Sequence, residues 1–386
     1  MTVAALARRE RVVGVTVAIS SIAVAAMALG LTFPLVGLIL EGEGWSRTAI
    51  GVNSAMAPLA ILITAQFIPL WVNRLGAKKV ILAAVLTDVA LLLALKAFQN
   101  YYIWLPIRFV MGVAVAALFV TSESWINQVT QNHNRGRVMA LYNTVLSAAF
   151  ASGPLLIWVV GVEGWTPFVA GAAIMAAAAL PMAFVPVVAP VFEGRPSFSV
   201  WRYLWVAPTL AGAMLLYAMI ENGSTALMAV FGRRSGLRDA EAVTLISAVV
   251  FGGMVFAFPV GWLADRMDRI KLLVILAATA TFLIILLPGL MDSRPARLLD
   301  LFLWGGAAAS IYTVAMAIQG ERFSGADLVT ANAAFGTLYG FGALAGPMVL
   351  GASMDYHDPE GFVWAMVAIC GTFTVFTIVR QRLKRG

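Results

Sequence analysis

GWLADRMDRIK, residues 261–271, is a short charged interruption between two long apolar runs, and a related stretch, VNRLGAKK, occupies residues 72–79. Asn73 and Asp265 hold corresponding places in the two stretches and are 192 residues apart. A second pair, SGP at 152–154 and AGP at 345–347, is separated by 193 residues, which is half of the 386-residue chain. The sequence therefore predicts two related halves.

The runs on either side of these stretches have the composition of membrane-spanning segments. Hydrophobic residues make up 61% of the chain and charged residues only 12%, and the mean hydropathy is +0.90, whereas an average soluble domain is roughly 45–50% apolar. Apolar runs of about 20 residues, enough for a helix to cross a ~30 Å hydrocarbon core, follow one another with short polar breaks. Because runs such as AGAAIMAAAALPMAFVPVV have no period of two, the spans are predicted to be helices rather than barrel strands.

We therefore expect an all-α integral membrane protein with twelve transmembrane helices in two pseudo-symmetric six-helix bundles. The first apolar run exceeds 25 residues and has no small-residue cleavage site, so it is expected to be retained rather than removed as a signal peptide. The predicted parts are an N-terminal bundle at 1–188, a central loop at 189–203 and a C-terminal bundle at 204–386. The predicted spans are 13–40, 47–72, 78–98, 101–130, 138–161, 164–188, 204–232, 240–264, 270–291, 298–320, 327–353 and 360–380.

The distribution of positive charge predicts the orientation of these spans. Twelve spans put both termini on one side of the membrane, and 18 of the 26 Lys and Arg residues fall on that side. Seven fall on the other side, and Arg108 lies within a span. By the positive-inside rule, both termini are expected in the cytoplasm of a protein of the cell (inner) membrane. The net charge of +7 is then a consequence of topology, and the basic RQRLKRG end favours a juxtamembrane anchor over nucleic-acid binding.

The charged stretch that follows the second span of each half resembles a signature of the Major Facilitator Superfamily of secondary transporters, in which it reads Gly-x-Leu-Ala-Asp-Arg-x-Gly-Arg-Lys. The C-terminal copy has Asp268 in place of the second glycine and matches at Gly261, Leu263, Ala264, Asp265, Arg266 and Arg269. The N-terminal copy keeps Arg74, Gly76 and Lys78 of the pattern. It has Pro69 in place of the first glycine and Asn73 in place of the aspartate. The likeness spans essentially the whole chain, and it implies a transporter that works by alternating access.

In a protein of this family, the two charged stretches would act as conformational latches. A carboxylate can accept hydrogen bonds from a facing helix N-terminus and pair with nearby arginines in only one of two bundle arrangements. We expect the latch at Asp265, Arg266 and Arg269 to be stronger than the one at Asn73 and Arg74, because the asparagine carries no charge. The alternative is that both stretches are plain positive-inside loops.

Glycines and one arginine in the spans extend the resemblance. Arg108 and Gly112 resemble the family's Arg-x-x-x-Gly signature, which is associated with proton coupling, although an arginine reaching back to the membrane surface is the alternative. In the fifth span only Gly153 and Pro154 of a Gly-rich antiporter pattern remain, so antiport is favoured only slightly over symport. The residues expected to let helices pack closely are Gly30, Gly223, Gly112, Gly153, Pro154, Gly342, Gly346 and Pro347.

Four acids fall within predicted spans, where a carboxylate is by default a functional hypothesis. Asp88 has few polar neighbours in LTDVALL and is as well explained by a structural role, and Asp300 lies at a helix end. Glu123 lies in the polar stretch TSESWINQ. We expect it to be a cavity or gate residue, and the alternative is a structural hydrogen bond to a neighbouring helix. Glu221 lies in YAMIENGSTALM, residues 217–228. The proton-coupling candidates are Glu221, Glu123, Arg108 and Asp88.

Comparison across the repeat singles out Glu221. Subtracting 193 maps Gly223 onto Gly30, whereas Glu221 and Asn222 map onto the apolar pair Ala28 and Leu29. A polar pair that the repeat does not require points to a role in the substrate site. The cavity should be lined from the first, second, fourth and fifth helix of each half. The candidates there are Asn222, Tyr217, Asn53, Tyr142, Asn143, Phe251, Tyr312, Gln319, Asn332 and Tyr339.

These candidates favour one class of function. Aromatic and amide side chains with few charges suit a small amphipathic or lipophilic solute. With the acids named above as proton-coupling candidates, we expect a proton-coupled exporter of such a solute, and we expect it to be monomeric. Uptake symport and lipid flipping are alternatives of the same fold, and a non-transporting membrane sensor is an alternative of another class. The chain has two His and one Cys, Cys370, and no paired-aspartate or His-rich helix, so neither an enzyme nor a metal site or cofactor is expected.

Overall fold

The computed structural model describes residues 8–129, 135–184 and 200–383, and within these ranges every regular element is a helix. Of the predicted central loop, residues 189–199 lie outside the described residues, and residues 200–203 belong to a short helix. The helices are α1 (Arg8–Gly42), α2 (Arg47–Thr64), α3 (Ile68–Leu75), α4 (Ala77–Ala97), α5 (Tyr101–Val129), α6 (Arg135–Val160), α7 (Thr166–Phe184), α8 (Val200–Val206), α9 (Pro208–Arg234), α10 (Asp239–Ala264), α11 (Arg269–Leu290), α12 (Arg294–Arg322), α13 (Gly325–Tyr356) and α14 (Gly361–Leu383).

Most of these helices are long and apolar enough to cross a membrane. Among the described residues, eleven candidate spans meet that length and hydropathy, and a shorter apolar helix at Thr166–Met182 corresponds to the sixth predicted span. The prediction of an all-helical, multi-pass membrane protein is confirmed. In the described part of the chain the predicted spans are helical, because only a helix satisfies its backbone polar groups within one segment in lipid.

The second predicted span is not one continuous α-helix. It is divided into α2, a 3₁₀ turn at Ala65–Phe67 and α3. The division coincides with Pro69 at the start of α3. Proline has no amide hydrogen, and its ring crowds the carbonyl four residues earlier, here that of Ala65. The departure from the family's glycine at this position therefore has a local structural consequence.

The described helices group into two compact units. The first consists of Met1–Leu35 and Met56–Gly194, and the second of Val36–Ala55 and Arg195–Gly386. The end of α1 and the start of α2 therefore belong to the second unit, although they precede residue 188. Contact grouping and the internal repeat divide the chain by different criteria, so the boundaries at 188 and 204 remain a prediction.

In the first unit, small residues allow helix backbones to approach closely. A Cβ added to Gly30 of α1 would collide with the backbone of Phe150 in α6, and one added to Gly153 would collide with the backbone of Gly30. Gly112 of α5 faces the backbone of Ala57 in α2 in the same way. These three glycines stand where bilayer helices commonly use small residues to bring their axes together.

In the second unit, glycines bring α13 against α9. Gly342 lies against the backbone of Leu215, and Gly346 lies against the backbone of Met219. Gly223 of α9 faces Gly346 from the other side of the same crossing. This close approach fixes which side chains of the two helices can meet one turn further along, as the next subsection describes.

Candidate functional site

A group of polar and aromatic side chains meets near the middle of α9. Tyr217 and Glu221 are four residues apart on this helix and therefore lie on one face, one turn apart. The Tyr217 hydroxyl donates a hydrogen bond of 2.8 Å to Oε1 of Glu221. The stretch YAMIENGSTALM is helical throughout, so its polar residues do not interrupt the span.

Neighbouring helices complete the group. From α13, the Tyr339 hydroxyl donates to Oε2 of Glu221 at 2.7 Å, and Asn222 Nδ2 lies 3.3 Å from the Tyr339 oxygen. From α12, the ring of Tyr312 lies 5.3 Å from that of Tyr217, and the Tyr339 ring lies 6.4 Å from Tyr217. We call these five residues, Tyr217, Glu221, Asn222, Tyr312 and Tyr339, the tyrosine–glutamate cluster.

The position of Tyr339 follows from the packing of α13 on α9. Gly342 and Gly346 follow Tyr339 by three and seven residues, so all three residues lie near one face of α13. Because the two glycines rest on the α9 backbone, the Tyr339 hydroxyl reaches the carboxylate of Glu221. The sequence suggested both the glycines and the tyrosine but not this contact between them.

The tyrosine–glutamate cluster contains one acidic residue and no basic residue. Glu221 is half-buried, and in the described part of the chain it forms no ion pair. The nearest basic residue along α9 is Arg233, 12 residues away, which corresponds to about 18 Å of helix. Both carboxylate oxygens are held by phenol hydroxyls, which favour the ionised form without neutralising its charge.

The first unit contains a different polar group, formed by Asp88 of α4 and Arg108 of α5. Both side chains are buried, and Arg108 is only 1% exposed. Arg108 Nη1 donates to the hydroxyl of Thr32, and the guanidinium lies 4.9 Å from the centre of the Phe33 ring. The alternative of an arginine reaching to the membrane surface is wrong, since it requires an exposed head group.

The hydrogen bonding of this second group is incomplete. Both carboxylate oxygens of Asp88 are buried without a hydrogen-bond partner, as are Nε and Nη2 of Arg108. The two opposite charges attract each other but do not form a direct ion pair in this structure. We call Asp88, Arg108 and Thr32 the buried charge group.

The remaining cavity and coupling candidates do not join either group. The Tyr142 hydroxyl lies 2.9 Å from that of Ser122, whereas the adjacent Glu123 is exposed. Asn53 is buried with both amide atoms lacking a partner, and Asn143 is exposed. Phe251 is 60% exposed and packs on the Phe302 ring.

Two further candidates belong to a separate hydrogen-bonded chain in the second unit. Gln319 Nε2 donates to Asn332 Oδ1 at 2.5 Å, and the Tyr203 hydroxyl donates to Gln319 Oε1 at 2.8 Å. Gln319 follows Tyr312 by seven residues on α12, about 10 Å along the helix. These two residues thus lie away from Glu221.

The proposed latch residues lie at helix ends. Asp265 is 75% exposed on its side chain and pairs with Arg269 at 3.2 Å, while Arg269 also pairs with Glu321 at 2.5 Å. Arg266 stacks on the Trp262 ring, 3.7 Å from its centre. In the N-terminal copy, Asn73 and Arg74 are exposed. The expected contact of Asp265 with a facing helix N-terminus is absent from the described residues.

A different residue of the same stretch takes the N-terminal contact. Asp268 is the N-cap of α11, and its carboxylate accepts a hydrogen bond of 2.8 Å from the amide of Lys271. This is an ordinary role for an aspartate that immediately precedes a helix. Asp268, which replaces the family's glycine, therefore caps the N-terminus of α11, and its place just before an apolar run could have indicated this role.

Sequence reasoning missed a cluster of charges at one end of the second unit. Arg47 pairs with Asp358 at 2.5 Å, and Asp355 accepts 2.8 Å hydrogen bonds from the first two amides of α2. Glu41 pairs with Arg233 at 3.2 Å. Arg234 pairs with both Glu41 and Asp358. These contacts attach the end of α1 and the start of α2 to α9 and α13, and no spacing rule connects residues so far apart in the chain.

Comparison with known proteins gives the family. A model described as the Major Facilitator Superfamily matches residues 18–347. The chain belongs to the Major Facilitator Superfamily. Members of this family carry small-molecule solutes across membranes by alternating access and are not enzymes, in agreement with the function class expected from the sequence.

Relatives of this Major Facilitator Superfamily protein cover nearly its full length. It is 22% identical over 349 residues to the uncharacterized MFS-type transporter YfkF of Bacillus subtilis (strain 168), covering 87% of this chain and 88% of YfkF. It is 28% identical over 367 residues to the uncharacterized MFS-type transporter YcaD of Escherichia coli O17:K52:H18 (strain UMN026 / ExPEC), covering 94% of each.

Solved structures share the fold at low sequence identity. The nucleoside transporter NupG superposes with a TM-score of 0.76 at 13% identity, covering 96% of this chain and 99% of NupG. A bacterial homolog of the human lysosomal transporter Spinster, inward-facing and occupied, gives 0.72 at 14% identity, covering 98% of each chain. These likenesses concern the architecture of this transporter.

Proposed function

We propose that this transporter exports a small amphipathic or lipophilic solute in exchange for protons, with Glu221 as the coupling carboxylate. The observation that carries the proposal is the geometry of the tyrosine–glutamate cluster. A carboxylate within a membrane span is costly, and such residues commonly face a partner or a water-filled cavity. Glu221 has hydrogen-bond donors from two helices but, among the residues that the structure describes, no positive partner.

This arrangement suits a group that changes its charge during transport. Two phenol donors support the ionised carboxylate, while the apolar surroundings of a span favour the neutral acid. Because these two influences oppose each other, a modest change in the surroundings can move the proton. Helix movements that bring Tyr339 toward or away from Glu221 would change the balance, since the two residues are on different helices.

Other expected features are supported by less direct observations. We propose that both termini lie on the cytoplasmic side of the inner membrane, on the strength of the 18 of 26 basic residues assigned to that side. The protein is proposed to act as a monomer. The buried charge group is proposed as a second coupling element, because its unpartnered atoms can accept or share a proton.

The direction of coupling is tested in proteoliposomes with a ligand first found by thermal shift. Proton antiport accumulates the solute in vesicles with an acidic lumen, whereas proton symport accumulates it when the exterior is acidic. Protein-free liposomes measure passive accumulation. A fluorescent-lipid assay in the same vesicles reports flipping, and a ligand that binds without any gradient-driven flux would instead support a sensor.

The role of Glu221 is tested by comparing Glu221→Gln with a matched control. Glu163→Gln removes an exposed loop carboxylate between α6 and α7 and should leave transport unchanged. Glu221→Gln should abolish gradient-driven accumulation while exchange between equal solute pools persists. If Glu221→Gln retains gradient-driven transport, the assignment of coupling to Glu221 is wrong. If Glu123→Gln retains it as well, neither of these two acids carries the coupling.

A further inference from the structure

Within the described residues, the second unit holds few formal charges near Glu221. Helices α10, α11, α13 and α14 carry Asp, Glu, Lys or Arg only near their ends, and α9 has only Glu221 between its ends. In α12, Arg297 and Asp300 are buried, but both lie near the start of the helix, 12 or more residues before Tyr312. The titratable groups that face the Glu221 carboxylate are the hydroxyls of Tyr217 from α9 and Tyr339 from α13, with Tyr312 from α12 alongside. Among the described residues of the second unit, a solute at this position therefore meets a negative or a neutral group and no positive one.

Two tyrosine hydroxyls contact the Glu221 carboxylate, and a third tyrosine ring packs against one of these two tyrosines. The ring planes of Tyr217 and Tyr312 are inclined to each other by 34°, and those of Tyr217 and Tyr339 by 45°, so the rings do not stack in parallel. Tyr312 is 37% exposed, and Tyr217 and Tyr339 are half-buried. The negative faces of tyrosine rings attract cations, and this attraction strengthens where water is excluded.

We infer that the tyrosine–glutamate cluster binds a monovalent organic cation with apolar substituents, such as a substituted ammonium or phosphonium. The inference rests on the proposed function, since it names the solute class taken at the same carboxylate. The carboxylate supplies the charge that a permanent cation needs, and the rings supply a surface that its apolar groups can contact. An anion of the same shape meets the same rings but is repelled by the carboxylate.

The cation and the proton compete for one group. When the cation binds to protonated Glu221, one proton leaves the carboxyl oxygen for solvent, and the charge of the site changes from neutral to negative beneath the cation. When the cation leaves, a proton can return to the same oxygen. One solute and one proton thus compete directly at this carboxylate, and this competition does not involve the buried charge group.

Equilibrium binding of two ions of matched shape tests the inference directly. The probes are tetraphenylphosphonium and tetraphenylborate, measured with purified protein in detergent after subtraction of protein-free micelles. Saturable binding of the phosphonium is expected to be at least tenfold tighter than that of the borate, and to weaken as the pH falls. Equal binding of the two ions, or no saturable phosphonium binding, would overturn the inference.

Variants separate the contribution of charge from that of the rings. Glu221→Gln should weaken phosphonium binding at least tenfold and remove its pH dependence, whereas Glu163→Gln should change neither. Tyr312→Phe, which keeps the ring, should bind nearly as the wild type, and Tyr312→Leu should bind several-fold more weakly. Unchanged binding in Glu221→Gln contradicts the inference, and the comparison of the two ions in the wild type stands even if a variant fails to fold.

Failure of this inference is distinguishable from failure of the proposed function. The binding measurement uses no gradient and does not depend on transport. If the phosphonium does not bind but another solute is accumulated in a Glu221-dependent manner, the solute class is wrong and the proton coupling stands. If the phosphonium binds through Glu221 but no gradient drives any flux, the site stands and the exporter proposal fails.

Discussion

The tyrosine–glutamate cluster and the buried charge group, both inside the membrane spans, differ in how their charges are compensated. In the second unit, Glu221 is half-buried, both of its oxygens accept hydrogen bonds from phenol hydroxyls, and it has no positive partner within the described ranges. In the first unit, Asp88 and Arg108 bring both signs of charge into a fully buried place and leave several polar atoms without partners. The tyrosine–glutamate cluster is suited to gaining and losing a charge. The buried charge group instead balances its charges internally and leaves hydrogen bonds unmade.

This difference predicts where a substitution should affect stability and where it should affect transport. A residue of the buried charge group cannot be removed without leaving the opposite charge unpaired in a low-dielectric interior. A residue of the tyrosine–glutamate cluster can be neutralised without creating a new unpaired charge. The following predictions are ordered by the size of the expected effect.

The largest loss of stability is expected from Arg108→Ala. Removing the guanidinium leaves Asp88 buried without its nearby opposite charge and deletes the hydrogen bond to Thr32. Because the two charges are not directly paired, the cost is expected to lie at or below the ~3–5 kcal/mol of a directly paired buried charge. The measurement is the thermal unfolding midpoint in detergent. Adding Asp88→Asn to Arg108→Ala should recover part of the loss, and a single variant as stable as the wild type would remove the contrast between the two groups.

The next largest effect is expected from removing the phenol donors. Tyr217→Phe and Tyr339→Phe keep the rings but each deletes a hydrogen bond to a charged acceptor, worth about 1.5–3 kcal/mol. Because the ionised carboxylate loses support, the midpoint of the pH profile of transport should move to higher pH. Tyr142→Phe, whose hydroxyl contacts Ser122 instead, is the matched control. A profile that shifts equally in the control would show that the phenols do not act on Glu221.

A smaller effect is expected from disturbing the helix crossing that positions Tyr339. A Cβ at Gly346 meets the backbone of Met219, so Gly346→Ala should cost about 1–3 kcal/mol through overpacking and weaken phosphonium binding. Gly336→Ala, on the same helix but facing open space, should be harmless. Unfolding midpoints and phosphonium affinities of the two variants make the comparison, and equal behaviour would mean that the crossing does not set the site.

The smallest effect on stability is expected outside both groups, at Asp265→Asn. Its pair with Arg269 is largely exposed, and such pairs contribute about 0.2–1 kcal/mol. Arg269 keeps Glu321 as a second partner, which limits the loss further. Spin-label distances would still report whether the inward and outward populations change. An unchanged distribution would mean that Asp265 is not a latch.

The sequence predicted those features that depend on local spacing. Apolar runs of sufficient length predicted the helices. Tyr217 and Glu221 were both candidates, and their four-residue separation, which puts them on one face of α9, is a local feature of the same kind. Comparison of the two halves separated Gly223 from the Glu221–Asn222 pair, which only one half carries. These conclusions needed no knowledge of which helices are neighbours.

The features that depend on contacts between distant helices could not be predicted in this way. Tyr339 is 118 residues from the carboxylate that it contacts, and Thr32 is 76 residues from Arg108. The charges at the ends of α1, α2, α9 and α13 meet across more than 300 residues in the case of Arg47 and Asp358. Even so, the list of cavity candidates contained Tyr217, Tyr312 and Tyr339, because the chain has only eight tyrosines and these three lie on the expected helices.

The most direct test of the central claim is the number of protons released when a ligand binds in weakly buffered detergent solution. The carboxylate of Glu221 is proposed to take both the proton and the solute. A pH indicator should report proton release on ligand binding by the wild type and by Glu163→Gln, and none by Glu221→Gln at saturating ligand. Equal release by Glu221→Gln would show that another group carries the proton, and would contradict the account.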